Sequence, residues 1–440
     1  MNLSDIETRN IAIWGLGEEG MASYHFLRSH FPDKMIFLIN RDRPGKLPED
    51  DHISFIPEDR LKENTGHIDL VIKSPGISLY HPLVTLLRQH DIRVTSATNI
   101  WFALPRRGRV IAVTGSNGKS TTCALLHHIL KAMGLASEIG GNMGTPLLSL
   151  AGGGDYYIVE LSSYQTADLI IAPDIALLLN LFPEHIQWHQ SHDQYFTDKA
   201  NLIRTGAKTV ILNHGDPLTR EKIGHIPENT LWFNAPSAIH CTDRHILSGD
   251  DILGNLKDIT LPGNHNRENI CAALTVCREL GLDLKSCFRL AASFEGLPHR
   301  LENLGITGGR IYINDSISTT PEATIAALKS FEGQEITLIM GGQDRQQDYG
   351  HFTQYIHNHP NLKIIVAYET GPKILAALNK IDPPVPVIQA DDLKNAVAIA
   401  QKITPDGGII MLSPAAPSYD AFRNFEQRGD SFKSLRQKRP

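Results

Sequence analysis

Thr114-Gly115-Ser116-Asn117-Gly118-Lys119-Ser120-Thr121-Thr122 places two glycines, a lysine and a run of hydroxyls within nine residues. The apolar stretch Arg109–Val113 precedes it and a helical pattern, from about Thr121 through Met133, follows. Free N–H groups at the start of a helix point outward and the helix dipole favours negative charge, so this order of elements is an anion site. The backbone from Gly115 to Gly118 would wrap phosphates. Lys119 would add a point charge for a β- or γ-phosphate, and Ser120 or Thr121 a hydroxyl for Mg²⁺. The strict Walker pattern wants a glycine where Val113 stands, so it fails here, although the shorter form is itself distinctive. A plain glycine turn is the alternative.

Glu160 ends the apolar stretch Tyr156–Val159. A carboxylate at the carboxyl end of a strand, in the same sheet as a phosphate loop, can hold Mg²⁺; a solvated strand-end glutamate is the other reading. Glu184-His185 also follows a strand pattern, Ile175–Asn180. His185, His189 and His192 suggest zinc at first sight. Gln187 and Trp188 break the order, however, no HExxH helix is present and no cysteine is near, so a hard-cation role or a substrate contact is favoured over zinc. Lys199 lies in the helical pattern Gln194–Arg204 and, taken alone, reads as a surface lysine.

A second glycine signal stands near the N-terminus. The strand Asn10–Trp14 runs into Gly15-Leu16-Gly17-Glu18-Glu19-Gly20; the strand Met35–Ile39 ends in Asn40-Arg41-Asp42, and Leu70–Lys73 ends in Ser74-Pro75-Gly76. A dinucleotide fold would want a carboxylate where Asn40 stands. Three readings follow: NAD, the diphosphate of another nucleotide, and close packing of helix on strand. The second is favoured.

These residues need a scaffold of alternating strands and helices, which indicates α/β domains with doubly wound parallel sheets. Breaker-rich links at Ala103–Gly108 and Gly296–Arg300 divide the chain into three domains. These are a Rossmann-like N-terminal domain (1–104), a central P-loop ATPase domain (105–299) and a Rossmann-like C-terminal domain (300–440). Within the last, strands are expected at Ile311–Asn314, Ile336–Met340, Lys363–Tyr368, Val385–Gln389 and Gly408–Leu412. The stretch Asn229–Leu261 reads as β-rich and irregular, and the basic tail Lys433–Pro440 as a frayed end. The net charge of −6 argues against a nucleic-acid partner. Scattered cysteines, no signal-peptide pattern and no apolar run of spanning length lead to the expectation of a cytoplasmic protein without membrane contact.

Several motifs in order resemble the Mur ligase family: the phosphate loop, G-N-M-G-T-P (Gly141–Pro146), E-L-S-S-Y-Q (Glu160–Gln165) and N-x-x-x-E-H (Asn180–His185). Y-x-x-x-K (Tyr195, Lys199), G-x-H-N-x-x-N (Gly263–Asn269), G-L-P-H-R (Gly296–Arg300), N-D-S (Asn314–Ser316) and S-P-A-A-P-S-x-D-x-F-x-N-F-E-x-R-G (Ser413–Gly429) continue the series. The resemblance covers the whole chain and is similar to the branch that adds glutamate to UDP-N-acetylmuramoyl-L-alanine. It implies an ATP-dependent, amide-forming ligase of peptidoglycan precursor synthesis, working through an acyl phosphate with two Mg²⁺ ions. Lys119, Ser120 and Thr121 would hold ATP phosphates, and Ser120 and Glu160 the first ion. His185 and a carbamylated Lys199 would reach the second. Asn266 and Asn269 would contact adenine, and Arg300 and Asp315 would grip ATP. Gly15, Gly17, Gly20, Asn40, Arg41, Ser74 and Gly76 would hold the UDP end, and Asn142, Ser162 and Gln165 the muramoyl-alanyl part. Glu184, Thr319, Arg345, Ser418 and Phe425 would receive glutamate. The expected partners are these small molecules alone, and the expected state is a monomer.

The amino-acid pocket departs from the pattern. The usual D-S-K-A-T-N reads Asp315-Ser316-Ile317-Ser318-Thr319-Thr320, and a later lysine is Arg345. Arginine grips a carboxylate bidentately and isoleucine cannot grip one. Members with a similar run add L-glutamate, so the L epimer is expected, against the family's usual D-glutamate. A folylpolyglutamate synthase would lack the N-terminal G-x-G-x-x-G domain. A non-catalytic nucleotide-binding regulator and a dehydrogenase are the remaining rivals.

Overall fold

The computed structural model describes residues 3–182, 186–359, 362–380 and 385–437. Glu184, His185 and the last three residues of the basic tail (438–440) lie outside them. The architecture is mixed α/β in three domains, each built on a largely parallel sheet.

The first sheet holds β1 (Ile11–Trp14), β2 (Ile36–Asn40), β3 (Ile53–Pro57), β4 (Leu70–Lys73) and β5 (Arg93–Ser96), in the order β3-β2-β1-β4-β5 and parallel throughout. Side chains of β1 alternate between two cores. Ile11 and Ile13 enter one cluster, and Ala12 and Trp14 the other, as the period of a strand covered on both faces requires. The sequence pattern locates the three central strands and misses β3 and β5. Both are edge strands, and Arg93-Val94-Thr95-Ser96 has too few apolar residues to stand out.

The second sheet contains β6 (Arg109–Thr114), β7 (Ser137–Gly141), β8 (Tyr156–Glu160), β9 (Ile175–Leu178), β10 (Thr209–Asn213), β11 (Thr230–Phe233), β12 (Ile239–Cys241), β13 (His245–Ser248) and β14 (Asp251–Asn255). Their order is β14-β13-β12-β11-β10-β9-β6-β8-β7. The irregular region expected after Asn229 is thus an ordered extension, antiparallel from β12 to β14. Val113 on β6 pairs with Glu160 on β8, which brings the glutamate to the mouth of the phosphate loop. One apolar cluster runs from Ile11 and Leu70 of the first sheet through Trp101 to Val110, Ala112 and Tyr157 of the second. That shared core makes a single compact unit of residues 1–258 and 267–292.

The other unit comprises residues 259–266 and 293–440. Its sheet has β15 (Glu302–Thr307), β16 (Arg310–Asn314), β17 (Ile336–Met340), β18 (Lys363–Val366), β19 (Val387–Gln389) and β20 (Ile409–Leu412), in the order β15-β16-β20-β17-β18-β19. Only the β15–β16 hairpin is antiparallel. Ile409 and Met411 face one core cluster, Ile410 and Leu412 the other. The last helix, Phe425–Leu435, starts at an Asn424 side chain that accepts from the Gln427 N–H at 2.9 Å. The tail does not fray at Lys433: that residue belongs to this helix, and its Nζ lies 2.6 Å from Glu302.

Candidate active site

The phosphate loop is stretched between β6 and the helix Lys119–Ala132. Gly118 caps that helix at φ +85°, and a Cβ there would lie 2.3 Å from Asn269 Oδ1, so only glycine fits both the turn and the neighbour. Asn180 brackets the loop: its Oδ1 accepts from the Asn117 N–H at 2.9 Å and its Nδ2 donates to the Asn117 carbonyl at 3.1 Å. The Ser116 hydroxyl is occupied within the protein, 2.6 Å from Tyr195 Oη and 2.8 Å from the Phe182 carbonyl. The Ser116 N–H is likewise engaged, donating to the Asn180 carbonyl at 3.0 Å.

Two lysines meet on this loop. Lys119 Nζ donates to the carbonyls of Gly115 and Ser116, each at 2.8 Å. Lys199 Nζ donates to the same Gly115 carbonyl at 2.7 Å. Lys199 is only 2 % exposed and lies over the Tyr195 ring, so the surface reading of this residue is wrong. Its helix, His192–Arg204, is capped by Ser191, whose hydroxyl accepts from the Gln194 N–H. Two buried or half-buried ammonium groups thus donate to one carbonyl of the loop.

Glu160 supplies the opposite charge. It is 1 % exposed; Oε1 accepts from Asn142 Nδ2 at 2.7 Å, while Oε2 is buried with no hydrogen-bond partner among the described residues. An orphaned carboxylate oxygen beside a phosphate loop is a strong fit for a hard cation such as Mg²⁺, and oxygen is the donor that ion takes. Ser120 is the second residue of the adjoining helix. Asn142 orients Glu160 as well as standing free on its other side, being exposed.

Ser162 and Gln165 form a capping box at the helix Ser163–Ala167. The Gln165 Nε2 reaches across to Glu19 Oε1 at 2.8 Å, joining that helix to the N-terminal glycine loop. Burial raises the Glu19 pKa to about 7, against the opposing effects of Gln165 and Lys73. Neither Glu19 nor this bridge was marked by the sequence.

A buried relay also went unseen. His189 is fully buried, with Nδ1 2.6 Å from Asp198 Oδ2 and Nε2 2.9 Å from Ser163 Oγ. Asp198 further accepts from Tyr80 Oη at 2.6 Å and Gln194 Nε2 at 2.8 Å. Trp188 Nε1 donates to the Pro75 carbonyl, and Ser78 Oγ to the Trp188 carbonyl. Loop 74–81 of the first domain is thus tied to the helix that carries Lys199. The alternation of Ser163, His189 and Asp198 resembles a nucleophile relay, but burial on all sides gives it a positioning character. Only the histidine spacing was visible in sequence, and it suggested a hard-cation role or a substrate contact instead.

In the N-terminal glycine run, packing and openness divide the positions. Gly15 has φ +91° and no room for a Cβ against Ser74, and a Cβ on Gly20 would lie 1.9 Å from the Gly15 carbonyl oxygen, whereas Gly17 has nothing within 4 Å. Ser74 Oγ donates to the Gly15 carbonyl at 2.7 Å, and Asn40 Oδ1 lies 3.4 Å from the Leu16 nitrogen. Arg41 and Gly76 are exposed beside it. Gly17, Arg41 and Gly76 are therefore the most open members of the set, while Gly15, Asn40 and Ser74 are half-buried and Gly20 is buried.

In the second unit, Asp315 is buried and accepts from Ser318 Oγ (2.5 Å), Ser413 Oγ (2.8 Å) and the Leu301 N–H (3.1 Å). Burial nonetheless raises its pKa to about 6. Arg300 keeps a buried Nε without a partner among the described residues, which suits an anion. Asn266 Nδ2 donates to the Pro262 carbonyl at 2.7 Å; Asn269, which belongs to the first unit, is buried and abuts Gly118. Thr319, Arg345 and Ser418 stand on the loops after β16, β17 and β20, and Phe425 starts the last helix. Because β20 lies between β16 and β17, these loops adjoin at the carboxyl edge, where open α/β sheets bind ligands. Arg345 is exposed, 5.4 Å from the Tyr419 ring centroid.

Residues 113–277 match the family described as the Mur ligase middle domain. A protein of Xanthomonas axonopodis pv. citri (strain 306), named UDP-N-acetylmuramoyl-L-alanine--L-glutamate ligase, is 36% identical over 99% of this chain and 96% of its own. A protein of the same name from Salinispora tropica is 34% identical, with 98% of each chain covered. The solved MurF ligase of Thermotoga maritima in complex with ADP has the same fold at a TM-score of 0.61, with 18% identity over 98% of this chain and 96% of that one. With relatives this similar over nearly its full length, the chain belongs to the Mur ligase family.

Proposed function

We propose that this chain is an ATP-dependent ligase that joins glutamate to UDP-N-acetylmuramoyl-L-alanine in the cytoplasm. The observation that carries this reading is the convergence of Lys119 and Lys199 on the Gly115 carbonyl beside the half-unpartnered carboxylate of Glu160. The alanyl carboxylate attacks the γ-phosphorus and ADP departs, leaving an acyl phosphate. The glutamate amine then attacks the acyl carbon, phosphate leaves and the amine proton is lost. Every reactant is anionic, so the chain's task is to offset repulsion and exclude water. Lys119 bears on the transferring phosphoryl group. Gly15 to Gly20, Asn40, Arg41, Ser74 and Gly76 hold the UDP end, and Asn142, Ser162 and Gln165 the muramoyl-alanyl end. Arg300, Asp315, Asn266 and Asn269 serve ATP. Mg²⁺ at Ser120 and Glu160, with a second ion at His185 and Lys199, would supply charge neutralisation at the phosphates.

Lys199 in this reading is carbamylated: its neutral amine adds to CO₂, a C–N bond forms and a proton is released. Carbamylation would place a negative charge beside Lys119, since both side chains reach the Gly115 carbonyl. L-glutamate is the amino acid, supported by Ile317 in place of a lysine and by the names of the relatives. The test is ADP release with UDP-N-acetylmuramoyl-L-alanine and each epimer, with hydroxylamine trapping of the acyl phosphate. ADP formed only with the UDP-sugar and a trapped hydroxamate are expected; their absence refutes the reaction. A higher kcat/KM for D-glutamate refutes the epimer alone.

A further inference from the structure

Arg428 has no part in the chemistry above, although it stands in the run Phe425-Glu426-Gln427-Arg428-Gly429. Its side chain is 1 % exposed, among the largest fully buried side chains of the protein. Nε donates to Ser316 Oγ at 3.0 Å and Nη2 to the Ser316 carbonyl at 2.8 Å, both just after β16. Nη1 donates to the Ala416 carbonyl at 3.0 Å, after β20, and lies 3.4 Å from the Gly341 carbonyl, after β17. One guanidinium therefore ties together the three loops that carry Thr319, Ser418 and Arg345. The loops are also joined directly, by Gly341 N–H to the Pro414 carbonyl (2.9 Å) and Gln343 N–H to the Pro417 carbonyl (2.8 Å). A Cβ on Gly342 would lie 2.0 Å from the Pro417 oxygen and 3.0 Å from Arg428 Nη1, so the seam has no slack. Ser316 Oγ returns to the helix by donating to the Phe425 carbonyl at 2.8 Å.

The acceptors are three carbonyls and a hydroxyl, all neutral. Burial lowers the pKa to about 10, which leaves the group charged at neutral pH, with Asp420 acting only at longer range. The planar fork of Arg428 fixes several acceptors at once, which an ammonium on a flexible stem cannot do.

We propose that Arg428 is the positioning residue of the amino-acid site, setting the register of the three loops that would receive a dicarboxylic amino acid. The inference rests on the reading of these loops as the glutamate site. Its test is steady-state kinetics of Arg428→Gln, Arg428→Lys and Ser316→Ala beside the wild type. KM for glutamate should rise about 10- to 100-fold in Arg428→Gln, less in Arg428→Lys, and roughly three-fold in Ser316→Ala. KM for ATP and for the UDP-sugar should stay within about two-fold. Folded Arg428→Lys and Ser316→Ala with wild-type KM for glutamate, or an equal rise for all three substrates, would overturn it. Should Arg428→Gln fail to fold, the other two variants decide. A wild type that turns over ATP and UDP-sugar without glutamate dependence instead overturns the assigned function, and this proposal with it.

Discussion

The loop after β6 and the loops after β16, β17 and β20 sit at the carboxyl edges of two parallel sheets, yet they manage charge differently. At the first, two lysines lean on backbone carbonyls and a carboxylate keeps one oxygen without a hydrogen-bond partner among the described residues. At the second, the exposed Arg345 is open to solvent while the structural cation, Arg428, is sealed beneath the loops. In the proposed assignment the difference follows from what each would bind. A phosphate chain has a fixed shape and high charge, so a rigid cradle of N–H groups and lysines suits any nucleotide enzyme. An amino acid must be distinguished from its neighbours, so its pocket is carried on loops that can be rebuilt while a buried tie keeps them in register.

The sharpest way to break this comparison is Lys119→Ala. Loss of a phosphate contact made in the transition state should lower kcat by about 10²–10³-fold or more, while the melting temperature hardly moves, because Lys119 is only half-buried. Near-wild-type turnover would remove the phosphate loop from the chemistry. Lys199→Ala comes next, with activity reduced by roughly 10²-fold or more and partly recovered with short carboxylic acids that stand in for the carbamate. Full activity without rescue would leave Lys199 a purely structural donor to Gly115.

On the other side, Arg345→Ala should raise KM for glutamate by about 10- to 100-fold and leave KM for ATP nearly unchanged, the loss of one charge-assisted contact to a carboxylate. Parallel changes in both constants would erase the division of labour between the two edges.

The smallest effect belongs to the bridge between Glu19 and Gln165. The Glu19 pKa is raised from 4.5 to about 7, so the folded protein binds this proton more tightly than the unfolded chain. The stabilising contribution is complete below pH 4.5 and is lost as pH rises through about 7. Measured against Glu19→Gln by urea unfolding, wild-type stability should therefore fall between these limits, with a slope of at most about 1.4 kcal/mol per pH unit. A pH-independent difference would show that Glu19 titrates normally.

Local sequence determined much of this. The phosphate loop depends on neighbours in the chain: a strand, two glycines, a lysine and a helix start, all within about a dozen residues, and hydrogen bonding along the backbone makes the rest follow. Apolar runs covered on both faces, such as β1, β6, β17 and β20, were equally plain, whereas β3 and β5 were not, because an edge strand needs fewer apolar residues. The glycines of the N-terminal loop were visible, but that Gly15 is packed was decided by Ser74, 59 residues away. Lys199 shows the same limit from the other side. On its own helix nothing separates it from a solvated lysine, and only the fold brings it to Gly115, 84 residues earlier. The relay from Tyr80 through Asp198 and His189 to Ser163, the Gln165–Glu19 bridge and the tie made by Arg428 are likewise contacts between distant segments. Periodicity and motif spacing report what a residue does to its own element. Burial without solvent, and the partner that makes such burial tolerable, are properties of the packed chain alone.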